Sequence, residues 1–174
     1  QTWQPRNSDN LEHGDVALID ALARSYNLAT VHLGLDVGVQ KVERLLEALV
    51  PGVDVSPHPS LLLGATEMTP LQVAQAYQYL AADGHQLPLS SVTAVIDRNG
   101  RTISRYRAPQ RAGELVEAAR LVSFAMQEGS RTGTGAALIG LGLGDLDVAG
   151  KTGTSDDLRD SWYAGFTGGH LAVV

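Results

Sequence analysis

The sequence predicts an α+β fold, a helical lobe plus an antiparallel sheet, and two observations carry that prediction. Apolar residues recur at three- and four-residue steps through most of the chain up to Glu128, and the final unit, from Val148 onward, reads as strands joined by glycine-containing turns. Helices first and a sheet last is the α+β order. A chain of 174 residues suits one domain with a real core, and 44% hydrophobic with 18% charged residues is ordinary for a globular protein. A net charge of −6 offers no basic face, so nucleic acid is not an expected partner. The chain has no cysteine, hence no disulfide frame and no thiol nucleophile. His13, His32, His58, His85 and His170 never fall at metal-ligand spacing, and neither a metal nor a cofactor is expected. No apolar run approaches the ~18 residues of a membrane span. The chain starts at Gln1 and stops inside the apolar run Leu171 to Val174, which reads as an excerpt.

The opening Trp3 to Asn10 is polar and turn-rich. After Gly14 a first helix is expected, with Val16, Ile19, Ala23 and Tyr26 on its stripe, Leu18 and Leu22 widening it, and Asp15 at its cap or first turn. It should end near Ser25-Tyr26-Asn27. A second helical stretch runs from about Thr30 through Leu35, and a third from Val39 to Leu49, with Val42, Leu45, Leu46 and Leu49 inward, stops at Pro51-Gly52. Leu61 to Gly64 is too short to assign by period. The best-signalled helix follows: Thr69 caps it, Pro70 takes its first position, Gln72 completes a capping box, and Val73, Ala74, Tyr77, Leu80 and Ala81 form the buried stripe. From Ser91 to Tyr106 the period is two, and Asn99-Gly100 marks a hairpin turn. Glu114 to Glu128 is helical again, with Leu115, Ala118, Val122, Ala125 and Met126 inward. Its end, Gly129 to Gly135, is either an anion cradle or a flexible connector. The meander closes the chain with Val148 to Thr154, a long turn through Asp156 and Asp157, Trp162 to Thr167, and His170 to Val174.

Chemistry concentrates in Val148 to Ser155, where Lys151 stands between Gly150 and Gly153 and three hydroxyls follow. On a strand Thr152 and Thr154 face one side, while Lys151 takes the other side or the edge, a set suited to a carboxylate or phosphate. A phosphate loop of the form G-x-x-x-x-G-K-[ST] nearly fits. It would need glycine where Asp145 stands, would set Asp145 and Asp147 against the phosphates, and would have to run into a helix rather than toward Trp162. A glycine-spaced edge strand with a solvated lysine is the bland alternative.

Two motifs far apart in the chain narrow the choice. Ser25-Tyr26-Asn27 is weak alone, since serine and asparagine are frequent at helix ends. Together with Lys151-Thr152-Gly153-Thr154 it matches S-x-N and K-T-G, the second and third motifs of the penicillin-recognising serine enzymes. The chain resembles, over essentially its whole length, the transpeptidase domain of bifunctional class A penicillin-binding proteins. Leu63-Gly64-Ala65, Thr69 to Tyr77, Arg131 to Gly135 and Asp160 to Gly165 also match that pattern.

The resemblance implies a D,D-transpeptidase that cross-links D-Ala-D-Ala stem peptides through an acyl-serine and is acylated by β-lactams. It gives Ser25, Asn27 and Lys151 catalytic roles, has Thr152, Gly153 and Thr154 line the substrate strand, and places the protein in the bacterial cell envelope, on the periplasmic side of the cytoplasmic membrane. It also implies that residues 1–174 are a partial transpeptidase domain with a hairpin over 91–106. No serine in the sequence has lysine three residues on, so the S-x-x-K nucleophile is expected before Gln1, together with the glycosyltransferase domain and membrane anchor. The missing remainder of the domain is then the chain's first partner, and the isolated chain is expected to be inactive. A segment of a serine β-lactamase or carboxypeptidase, and a non-catalytic binding module on the same fold, are the alternatives.

Overall fold

The computed structural model describes residues 3–107, 113, 115–155 and 159–174. Within them the order is helices first and sheet last, as the spacing predicts: α1 (Leu18–Ala23), α2 (Asn27–Val37), α3 (Val39–Leu49), α4 (Pro70–Ala81), β1 (Ala94–Ile96), β2 (Thr102–Arg105), α5 (Val116–Thr132), β3 (Ala149–Thr154), β4 (Ser161–Phe166) and β5 (Leu171–Val173). One turn of 3₁₀ helix over Pro59–Leu63 resolves the short apolar run that has no readable period. The expected turn through Asp156 and Asp157 lies outside the described residues.

The first helix departs most from its pattern. It is only 6 residues long, starts after Ala17 and has no side-chain cap, so Asp15 is not its cap. At its other end the chain reverses at Ser25 and restarts at Asn27, which shortens α1 there and opens α2 three residues before the expected start. The α4 entry follows the sequence closely. Thr69 Oγ1 accepts from the Gln72 backbone N–H at 3.2 Å and Gln72 Oε1 accepts from the Thr69 N–H at 2.9 Å, a reciprocal cap worth about 1 kcal/mol.

On two helices part of the expected inward face is exposed, while Leu49 on α3 and Ala125 and Met126 on α5 are sheltered as expected. In α3, Val42 and Leu46 pack on the core cluster of Val39, Val55 and Leu61, but Leu45 faces outward. In α5 the buried residues are Ala119, Ala125, Met126, Gly129 and Ser130, while Leu115, Ala118 and Val122 are exposed. Helix α5 meets α1, α4 and β3, and close approach selects its small residues: a methyl group on Gly129 would stand 3.3 Å from Ala23 Cα. On α4 the buried residue is Tyr79, with Val73, Ala74, Tyr77, Leu80 and Ala81 half-buried.

Strands β3, β4 and β5 form a three-stranded antiparallel sheet in that order, with Lys151 opposite Ala164 and Thr152 opposite Tyr163. Helix α4 packs against β4 and β5, and α5 packs against β3. Strands β1 and β2 make a separate hairpin. Its turn runs over Asp97 to Gly100, where the Gly100 N–H reaches the Asp97 carbonyl at 3.0 Å and only Gly100 has positive φ. It is therefore not the two-residue Asn-Gly turn, in which both residues need positive φ. The Asp97 carboxylate organises it by accepting from the N–H groups of Asn99 and Arg101, both at 2.8 Å.

Candidate active site

Strand β3 carries Lys151 to the end of α1. Its Nζ donates to Ser25 Oγ at 2.7 Å, across 126 residues of sequence, and lies 3.1 Å from the Thr152 carbonyl oxygen. Lys151 lies within a strand that is followed by another strand, so the phosphate-loop reading fails on topology. The solvated-lysine alternative fails as well, because the amine is half-buried and burial lowers its pKa below the ordinary lysine value. A lowered pKa brings the neutral amine, a proton acceptor, closer to physiological pH.

The backbone around Ser25 is the second construction. Ser25 has φ 57, a left-handed conformation that costs a non-glycine residue about 1 kcal/mol or more. Two hydrogen bonds hold it: Ser25 N–H to the Leu22 carbonyl at 3.2 Å and Tyr26 N–H to the Ala21 carbonyl at 2.9 Å, the Schellman pattern that ends many helices. Glycine is the usual residue there, and serine keeps a hydroxyl for Lys151.

The polar opening of the chain pins the rest of this turn. Buried Asn7 donates to the Leu11 carbonyl at 2.7 Å and accepts from the Leu28 N–H at 3.1 Å. The Asn27 amide donates to the Arg6 carbonyl at 2.8 Å, which leaves its oxygen and second N–H for other partners. His13 stacks on Tyr26 with ring centroids 4.0 Å apart. Sequence pattern alone missed Asn7, since a lone asparagine in a turn-rich stretch carries no distinguishing signal.

A third segment joins helix and strand. The Thr134 N–H donates to the Ala23 carbonyl at 3.2 Å, and its side-chain oxygen accepts from the Thr152 hydroxyl at 3.0 Å. At Gly133 a methyl group would overlap the Ala23 carbonyl oxygen. The segment is thus an ordered clasp rather than a slack connector. Arg131, just before it, pairs with Asp147 at 2.6 Å and Glu128 at 3.0 Å, tying α5 to the approach to β3.

Behind β3, Gly150 and Gly165 sit opposite each other, and a methyl group at either would overlap or crowd the Tyr163 phenol. Burial raises the pKa of that phenol, and burial followed by the neighbouring Tyr163 pushes Tyr77 on α4 up to about 12. Gly150 therefore makes room for a tyrosine beneath the strand, a purpose that spacing alone does not reveal. Gly153 is half-buried, and Thr154 is exposed at the strand's end. The structure thus joins Ser25 to Lys151 and Thr152 to Thr134, and holds Asn27 through Arg6.

A family model described as the penicillin binding protein transpeptidase domain matches residues 1–168. The chain belongs to that family. It is 40% identical over 175 residues to penicillin-binding protein 1B of Vibrio cholerae serotype O1, covering 99% of this chain and 22% of that protein. With penicillin-binding protein 1B of Escherichia coli it shares 38% over 177 residues, 100% of this chain and 21% of the relative. The chain therefore spans about a fifth of the length of these relatives. Among solved structures, penicillin-binding protein 1A from Haemophilus influenzae superposes with a TM-score of 0.82 at 21% identity, over 94% of this chain and 30% of that one. The imipenem acyl-enzyme of penicillin-binding protein A from M. tuberculosis gives 0.78 at 20% identity, over 99% and 44%. The motif-based resemblance and the α+β expectation are borne out at the level of family and fold.

Proposed function

We propose that the protein carrying this chain is a peptidoglycan D,D-transpeptidase of the class A penicillin-binding type, acting on the outer side of the bacterial cytoplasmic membrane and acylated by β-lactams. The reading rests on the 2.7 Å hydrogen bond from Lys151 to Ser25, which unites K-T-G and S-x-N in one polar cluster. A serine outside residues 1–174 attacks the penultimate D-Ala carbonyl of a stem peptide, and its hydroxyl proton passes by way of the lysine of its own S-x-x-K segment to Ser25, which the Lys151 cation holds in the network. The carbonyl oxygen becomes an oxyanion, and the Thr154 N–H supplies half of its hole, each such donor being worth about 3 kcal/mol. Ser25 then hands a proton to the leaving nitrogen, terminal D-Ala departs, and an amine of a second stem resolves the acyl-serine. Asn27 aligns the substrate backbone through its free amide groups, Lys151 with Thr152 and Thr154 holds the terminal carboxylate, and Gly153 lets the substrate lie close to the strand. In a β-lactam the leaving nitrogen stays tethered to the acyl group.

These roles separate kinetically. In the complete protein, stopped-flow acylation by a reporter β-lactam yields a binding constant and a saturated rate. Ser25→Ala lowers the saturated rate about 100-fold with binding little changed, because its hydroxyl acts when the nitrogen needs its proton. Thr152→Val weakens binding more than it slows the saturated step. A Ser25→Ala protein that acylates at the wild-type saturated rate removes Ser25 from the proton path and overturns the assignment.

A further inference from the structure

Thr134 does more than its backbone requires. Its N–H already makes the stitch to the Ala23 carbonyl, two residues before Ser25, so the chain can be held with any side chain at this position. Yet the side chain is a hydroxyl that meets the Thr152 hydroxyl at 3.0 Å, one residue along β3 from Lys151. Two hydroxyls bonded to each other use one hydrogen between them and keep one for an outside acceptor. Thr134 accepts from Thr152 and is exposed, whereas Thr152 is half-buried, so the remaining hydrogen belongs to the hydroxyl that faces solvent. A hydroxyl polarised from behind is a stronger donor than an isolated one. With the Lys151 amine curled back to 3.1 Å from the Thr152 carbonyl oxygen, the outside acceptor these groups suit is an anion.

We propose that Thr134 is a further substrate-binding residue, donating its hydroxyl hydrogen to the carboxylate of the acyl donor while Thr152, bonded to it from behind, completes the clamp. The proposal rests on the transpeptidase reading above and extends it from β3 to the segment after α5. Thr134→Val keeps shape and backbone N–H and removes only the hydroxyl; Thr134→Ser restores it.

The test is acylation of the complete protein by one reporter β-lactam, offered as the free acid and as its methyl ester. In Thr134→Val the binding constant for the acid weakens about tenfold while that for the ester is unchanged, and Thr134→Ser returns the acid to within about twofold of wild type. Partial misfolding or a displaced β3 lowers acid and ester together, so the acid-to-ester preference isolates the clamp. A wild-type preference in Thr134→Val, or equal losses on both probes, overturns the proposal. A wild-type protein acylated by neither probe overturns the transpeptidase reading itself, a separate outcome from either.

Discussion

Helices α1 and α4 end in the same backbone motif and put it to different uses. At α4 the Asp83 N–H reaches the Leu80 carbonyl at 3.1 Å and the Gly84 N–H reaches the Tyr79 carbonyl at 2.8 Å, with Asp83 at φ 52. At α1 Ser25 and Tyr26 repeat that pattern, with Ser25 at φ 57. Aspartate is among the few residues that tolerate the left-handed region, through local hydrogen bonding of its short side chain, so Asp83 needs no functional explanation. Its carboxylate meets Arg120 at 3.1 Å with both side chains more than half exposed, a geometry that contributes little. Ser25 lacks that tolerance and spends its hydroxyl on a half-buried lysine from a distant strand. Similar backbone strain marks a plain helix stop in one place and a lysine-bound hydroxyl in the other; what separates them is the burial and chemistry of the partner.

The largest expected effect breaks the pair from the strand side. Lys151→Met in the complete protein should slow β-lactam acylation about 1000-fold, and wild-type acylation should fall as pH rises through the Lys151 pKa, which burial sets below the ordinary lysine value of 10.5, because the cation holds both Ser25 and the substrate carboxylate. Stability carries the same signature. With the folded pKa below the unfolded one, the unfolded chain binds more protons, so this contribution is present above pH 10.5 and lost as pH falls through the lowered value. Tyr77 and Tyr163 act oppositely: their raised values contribute stability below pH 10.0 that is lost as pH rises toward the folded values. Subtracting Lys151→Met from wild type isolates the lysine, and urea midpoints at about pH 8 and about pH 10 should show wild type gaining on the variant as pH rises. An unchanged difference would mean that Lys151 is not held in a desolvated site.

A smaller effect sharpens the comparison itself. Ser25→Gly should be more stable than Ser25→Ala by about 1 kcal/mol, because both lose the hydrogen bond to Lys151 and only glycine relieves the left-handed backbone. Asp83→Gly should exceed Asp83→Ala by a similar margin of about 1 kcal/mol. Acylation should fall about 100-fold in both Ser25 variants and stay at the wild-type level in both Asp83 variants. Equal melting temperatures for Ser25→Gly and Ser25→Ala would show that the turn at α1 is unstrained. Smallest of all, Arg120→Ala should change stability by no more than about 0.5 kcal/mol and leave acylation alone, and a loss above about 1 kcal/mol would show that the Asp83 turn depends on its ion pair.

Much of the fold was legible because it rests on local rules. The Thr69-Pro70-x-Gln72 entry to α4 satisfies loose N–H groups with side chains four residues apart at most, so sequence and structure agree closely there. The α3 bounds and the meander were legible for the same reason. The orientation of α5 was legible only at Ala125 and Met126, because periodicity identifies a stripe but not which stripe a neighbour selects. Contact with Ala23 turned Gly129 inward and left Leu115 and Val122 outside. In the candidate site, the residue types at Ser25, Asn27 and Lys151 could be read from two motifs, and Thr134 and Tyr163 fell within matching stretches without their contacts being readable, while the supporting Asn7 is ordinary in its own local sequence.

The sequence by itself determined the family, the helix-then-sheet order and the chemical groups available, because motif spacing, capping and apolar period are written in neighbouring residues. Only the tertiary structure decided that Lys151 reaches Ser25, that Thr152 meets Thr134, and that Gly150 shelters a tyrosine. These contacts join residues far apart in the chain, and their geometry follows from how closely α1, α5 and β3 can pack, which no local pattern encodes.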